Sequence, residues 1–170
     1  MTQASEGQRR AGGASVARRW GMALIVAGGA LSALNGAAHI ALPVIYPWEQ
    51  HVEGLYEPVR WALFATTAFF AVLLTLCGLL SILVVRAPDM PRRLVAWVAA
   101  GMAAFWILGA VYELVVPFPA PVAEWVLPAF SVSVALMYGV GLWLWLRPQP
   151  GVPAGHPTQR RTRSAIPSPP

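Results

Sequence analysis

The sequence contains no lysine, one cysteine and three histidines in 170 residues, and each scarcity removes a class of chemistry. Without lysine there is no amine for a Schiff base. Cys77 stands alone, so there is no intramolecular disulfide, no cysteine metal cluster and no dithiol redox pair. The small four-helix quinone-linked disulfide oxidases, which need paired cysteines, are excluded with them. Charge is scarce too. Only 11% of residues are charged and 57% are hydrophobic, whereas soluble domains carry about 25% charged residues. So little charge cannot cover a water-facing surface, and a bilayer is the solvent that suits the excess. Catalytic motifs are equally thin: there is no Gly-rich phosphate loop, no HExxH, no pair of intramembrane acids and no Ser beside a base. Small four-span multidrug exporters depend on a Glu in the middle of their first helix, and the first apolar run here has none.

What the chain does have is four long uncharged runs. Trp20–Leu42, Trp61–Val85, Leu94–Val116 (interrupted only by Glu113) and Trp125–Leu146 hold 23, 25, 23 and 22 residues. About 20 apolar residues at 1.5 Å rise cross a hydrocarbon layer of about 30 Å. The expected fold is therefore an all-α membrane protein, a four-transmembrane-helix bundle with spans at about 20–42, 61–85, 94–116 and 125–146. Seven of the eight Trp residues (Trp20, Trp48, Trp61, Trp97, Trp125, Trp143 and Trp145) lie near run ends, where the membrane interface favours them. The small residues at Gly36, Ala37 and Ala38 imitate a signal-peptide cleavage site, but the apolar run continues to Leu42, beyond the usual signal core. It is read as a span.

Charge placement orients the spans. The ends and the 86–93 loop hold eleven of the twelve Arg residues, and the two opposite loops hold only Arg60. Glu49, Glu53, Glu57, Glu113 and Glu124 belong to that second side. The positive-inside rule then puts both termini in the cytoplasm. An Arg- and Ala-rich composition without Lys suggests a bacterial plasma (inner) membrane. Residues 1–19 read as a disordered cytoplasmic tail, 20–146 as the transmembrane domain, and 147–170 as a second disordered, Pro- and Arg-rich cytoplasmic tail. The Arg residues flank apolar runs instead of forming a soluble basic face, so the expected electrostatic partner is anionic lipid heads and not nucleic acid.

The first outer loop carries a pattern of its own. Trp48, Val52, Leu55 and Tyr56 recur at helical spacing beside Glu49, Glu53 and Glu57, between Pro47 and Pro58. That spacing predicts a short amphipathic helix lying in the interface. Two local likenesses suggest a 2+2 parallel repeat. Gly36–Pro43 resembles Gly109–Pro117, and Pro58–Trp61 resembles Pro121–Trp125, each with one inserted residue. The repeat would set His39 opposite Tyr112 or Glu113, and Arg60 opposite Glu124.

Polar side chains within the runs are few, and among them are Asn35, His39, Thr66, Thr67, Tyr112, Glu113, Ser131, Ser133 and Tyr138. An ionisable group inside a span is costly and therefore a functional candidate. Asn35 and His39 are four apart and share a helix face. The candidate polar ligand site is accordingly Asn35, His39, Tyr112, Glu113, Arg60 and Glu124, with no metal, since the spacing of His39, His51, Glu53 and Glu113 matches no ligand pattern. No cofactor is specified. Gly28, Ser32 and Gly36 form a small-residue stripe that suits either packing inside the bundle or a face for a second copy or another membrane helix. Three functions stay open. The favoured one is a non-enzymatic accessory or packing protein. The others are a small transporter or ligand-binding bundle with an outward polar site, and a membrane enzyme acting on a lipid-soluble substrate through His39 and Glu113.

Overall fold

The computed structural model describes residues 3–45, 52–116 and 122–147, with side chains from residue 16 onward apart from that of Val44. Its elements are α1 (Gln3–Ile45), α2 (Glu57–Arg86), α3 (Arg92–Val115) and α4 (Ala123–Leu146). All four are long and apolar enough to cross a membrane. Large apolar side chains such as Phe69, Leu83, Trp97, Leu108 and Val132 face outward, which water would penalise and lipid would not. The expected spans and the observed helices coincide to within a few residues for α2, α3 and α4. Pro58 opens α2 at a position where a missing N–H costs nothing, and Pro91 caps α3.

The first span agrees too, with the apolar stretch at Val16–Pro43 against the expected 20–42, but its helix begins earlier. Residues 1–19 are expected as a disordered tail, yet α1 takes in every residue from Gln3. The physical reason is continuity. A span already helical offers propagation without the nucleation step that makes isolated helices marginal. Gln3, Ala4, Glu6, Gln8, Arg9, Arg10, Ala11 and Ala14 are good helix formers. The amphipathic helix expected at 47–57 lies largely outside the described residues. Of its last part, Val52 is helical and buried, and in the turn that follows the Leu55 N–H donates to the Val52 carbonyl at 3.0 Å. The tail at 148–170 is likewise outside the described residues.

Glycine sets the packing, because lipid gives helices little hydrophobic reason to associate. Against α2, a Cβ on Gly29 would sit 2.8 Å from the Gly78 carbonyl oxygen, and one on Gly78 would sit 2.6 Å from the Ala33 nitrogen. Against α4, a Cβ on Gly21 would come within 2.7 Å of the Gly141 carbonyl oxygen. The stripe of Gly28, Ser32 and Gly36 is occupied within the chain: Gly28 abuts the Tyr138 ring, Gly36 abuts Thr75, and Ser32 is fully buried.

Helix α1 thus packs closely on both α2 and α4, and α3 packs on α4, while α2 and α3 approach each other over only a short stretch. Around the bundle the order is α2, α1, α4, α3, with a loose seam between the last and the first. One end gathers the Arg-bearing termini of all four helices. Arg18 lies over the Trp145 ring, 4.3 Å from its centroid, Arg147 covers Trp143 at 3.7 Å, and Arg92 donates to the Trp145 carbonyl at 2.9 Å.

Candidate functional site

At the end of the bundle away from the clustered Arg residues, Asn35 and His39 face one way on α1. The His39 Nδ1–H donates to the Asn35 backbone carbonyl at 2.8 Å. That bond fixes Nδ1 as the protonated nitrogen of the neutral ring and leaves Nε2 as an acceptor. The ring also meets Phe70 of α2 edge-on, with centroids 5.4 Å apart. The remaining candidates lie apart from this pair. Tyr112 is 65% exposed. Glu113 is half-buried, and its Oε2 is enclosed without a hydrogen-bond partner. Arg60 reaches Glu57 on its own helix, at 3.9 Å, and Glu124 is exposed in the first turn of α4. Among the described residues no hydrogen bond or ion pair joins His39, Tyr112, Glu113, Arg60 and Glu124 to one another. No three His, Cys, Asp or Glu side chains come together there as a metal site.

The polar centre of the molecule lies deeper, and each helix supplies one side chain to it. The Trp106 indole N–H on α3 donates to Ser32 Oγ on α1 at 2.9 Å, and Ser32 Oγ in turn donates to the Gly28 carbonyl at 2.8 Å. The Tyr138 hydroxyl on α4 donates to Ser81 Oγ on α2 at 3.2 Å, and Ser81 Oγ donates to the Cys77 carbonyl at 2.8 Å. Ser32 and Tyr138 are 0% exposed, Ser81 1% and Trp106 4%. Given the helix order, the Trp106–Ser32 and Tyr138–Ser81 bonds run along the two diagonals. They meet where the Ser32 and Tyr138 oxygens stand 3.5 Å apart. Each hydroxyl spends its proton on a defined acceptor, so the cluster is satisfied without water. It fills the bundle axis.

An aromatic row leads outward from this centre. Phe130 and Phe105 each meet the Trp106 ring edge-on, at 5.4 and 5.7 Å, and Phe105 stacks on Phe70 at 6.0 Å. The Phe70–Phe105 contact bridges α2 and α3. Beside it the seam opens into a groove of about 330 Å³. Leu73, Cys77 and Leu80 form the α2 wall, and Trp97, Gly101 and Phe105 the α3 wall. A Cβ added at Gly101 would meet nothing within 4 Å. The lining is almost wholly apolar, so the groove suits an apolar surface.

Ser81 and Trp106 were not among the candidates drawn from the sequence, and Ser32 figured there only as a small residue. One signal was present: Trp106 is the one Trp of eight that lies in the middle of an apolar run. Fold and site together define a class, a multi-pass, all-helical membrane bundle with a bonded polar core and an apolar lateral seam. No family model, curated protein or solved structure matches this chain.

Proposed function

We propose that this protein is a non-enzymatic accessory component of a bacterial plasma membrane, and that it works by packing a partner transmembrane helix into the α2–α3 groove. The observation that carries this reading is the seam itself. Two helices joined by a loop of a few residues would ordinarily pack along their length, yet they leave an apolar recess with Gly101 open on one wall. Small residues at such a position let another backbone approach closely. In this reading both termini are cytoplasmic, the 47–57 segment lies in the outer interface, and the two hairpins form the 2+2 repeat. The eleven-to-one Arg bias supports that orientation. The bonded cluster on the axis weighs against a path through the bundle.

Cys77 is the chain's one thiol and lines the groove, so it reports occupancy directly. N-phenylmaleimide should label Cys77 several times more slowly in native membranes than in the purified chain reconstituted in lipid alone. Equal rates in the two settings would refute a helix partner, because lipid fills the groove in both.

A second reading, a ligand-binding bundle, is favoured by one contact. Phe70 borders the groove and also touches His39, so a lipid-soluble ligand in the groove would have an imidazole just beyond its outer end. Protection of Cys77 that survives purification, together with a co-purifying small molecule lost in His39→Ala, would select this reading over the first.

A further inference from the structure

The Arg-bearing end of the bundle holds a second recess, which shares no lining residue with the groove at Cys77. Arg18 and Arg19 of α1, Arg86 and Pro88 at the end of α2, and Trp145 of α4 enclose about 370 Å³. Among the described residues the one ion pair joins Arg60 and Glu57, so these three guanidinium groups share a pocket with no carboxylate partner. Asp89, in the adjoining turn, makes no ion pair with them. Like charges gathered in this way repel one another and favour an anion. Trp145 forms one wall, with its ring beneath the Arg18 guanidinium.

What lies beside the pocket specifies the anion. Met22 and Arg86 also border a crevice of about 340 Å³ that climbs α1 along Ala23, Val26, Ala27 and Ala30. Met22, Val26 and Ala30 follow one another at four-residue spacing, so the crevice rises about 12 Å into the apolar layer at 1.5 Å per residue. A cationic pocket at the interface, continuous with an apolar channel pointing into the membrane, matches an amphiphile with a phosphate head. We propose that this end of the protein holds one anionic phospholipid. Its phosphate lies among Arg18, Arg19 and Arg86, and one acyl chain lies along Met22, Val26 and Ala30. The site is independent of the α2–α3 groove and stands or falls separately from it.

The test is native mass spectrometry of the full chain, stripped of lipid in mild detergent and titrated with phosphatidylglycerol, phosphatidylcholine or inorganic phosphate. One phosphatidylglycerol should be retained in preference to phosphatidylcholine. An Arg near an anionic lipid surface is worth about fivefold in affinity, so Arg19→Gln/Arg86→Gln should weaken phosphatidylglycerol ~25-fold. Arg60→Gln, at the other end of the bundle, should leave it unchanged. Ala27→Leu, which fills the crevice, should weaken phosphatidylglycerol and leave inorganic phosphate unaffected. The proposal is overturned if the two lipids bind alike, or if Arg60→Gln costs as much as the double variant. It is also overturned if Ala27→Leu has no effect while inorganic phosphate competes at equal affinity, since the site would then take a free anion. Circular dichroism of each variant establishes that the bundle is intact.

Discussion

Ser32→Ala removes a single oxygen atom, and it should destabilise the bundle more than Tyr138→Phe. In the native network the Ser32 oxygen is the acceptor for the Trp106 indole N–H at 2.9 Å, at a site where Trp106 is only 4% exposed. Deleting that oxygen leaves a buried donor without its acceptor. An orphaned buried polar group costs about 1–3 kcal/mol, so about 2 kcal/mol is expected. Tyr138→Phe is different, because every partner it abandons keeps another bond. Ser81 still donates to the Cys77 carbonyl, and Ser32 still donates to Gly28 and accepts from Trp106. Its cost should be that of one interhelical hydrogen bond in a membrane, about 0.6 kcal/mol.

The assay is reversible unfolding in mixed micelles with increasing dodecyl sulfate, followed by far-ultraviolet circular dichroism, since eight Trp residues blur a fluorescence signal. A Ser32→Ala cost below that of Tyr138→Phe would refute the argument that an unpaired indole dominates. One rescue is foreseeable: the Tyr138 hydroxyl stands 3.5 Å from Ser32 Oγ, close enough to turn and accept from Trp106. The double variant separates the cases. If Tyr138 rescues, Ser32→Ala/Tyr138→Phe costs well more than the sum of the single changes; if it does not, the two effects add.

Two further expectations concern glycine and histidine. Gly78→Ala should destabilise the bundle by about 1–3 kcal/mol, as overpacking does, because its Cβ would stand 2.6 Å from backbone atoms of Ala33 and Gly29. Gly101→Ala should be neutral or stabilising by up to about 1 kcal/mol, the helix-propensity difference; the same unfolding assay reads both, and equal costs would contradict the packing described here. In the neutral state His39 should carry its proton on Nδ1, the nitrogen held by the Asn35 carbonyl at 2.8 Å. Long-range proton–nitrogen correlation spectra of histidine-labelled protein, assigned through His39→Asn, would show the opposite tautomer if that bond does not form.

The spans were legible in the sequence because length and the absence of charge are one-dimensional properties. A run such as Trp61–Val85 carries them whole, and α2 follows it to within a few residues. The start of α1 was not legible, since composition alone does not distinguish a polar tail from the continuation of a helix already formed. The polar centre was hidden for another reason. Ser32, Ser81, Trp106 and Tyr138 come from four separate helices, and no spacing within the sequence relates them. Ionisable character drew attention to His39 and Glu113, whereas neutral donors and acceptors are what the buried axis joins. The small-residue stripe was visible at its four-residue spacing, but its direction was not. Only the positions of Tyr138 and Thr75 show that Gly28 and Gly36 face inward.

The diagonal bonds explain how the seam between α2 and α3 can stay open. Apolar helices in lipid have no hydrophobic drive to close on one another, so contact forms where backbones can approach or polar groups can pair. Helix α1 has both means: glycines against α2 and α4, and Ser32 as the acceptor for α3. Helices α2 and α3 share neither along the groove, where Gly101 faces open space and the walls are Leu, Cys and aromatic side chains. Each is nevertheless tied across the axis, α2 through Ser81 to Tyr138 and α3 through Trp106 to Ser32. The Phe70–Phe105 contact closes one end of the seam. The groove is therefore bounded by elements tied at defined contacts. A surface of that kind costs its occupant little reorganisation on binding, which is why the seam, and not the scattered acids and His39, is the place to look first for what this protein holds.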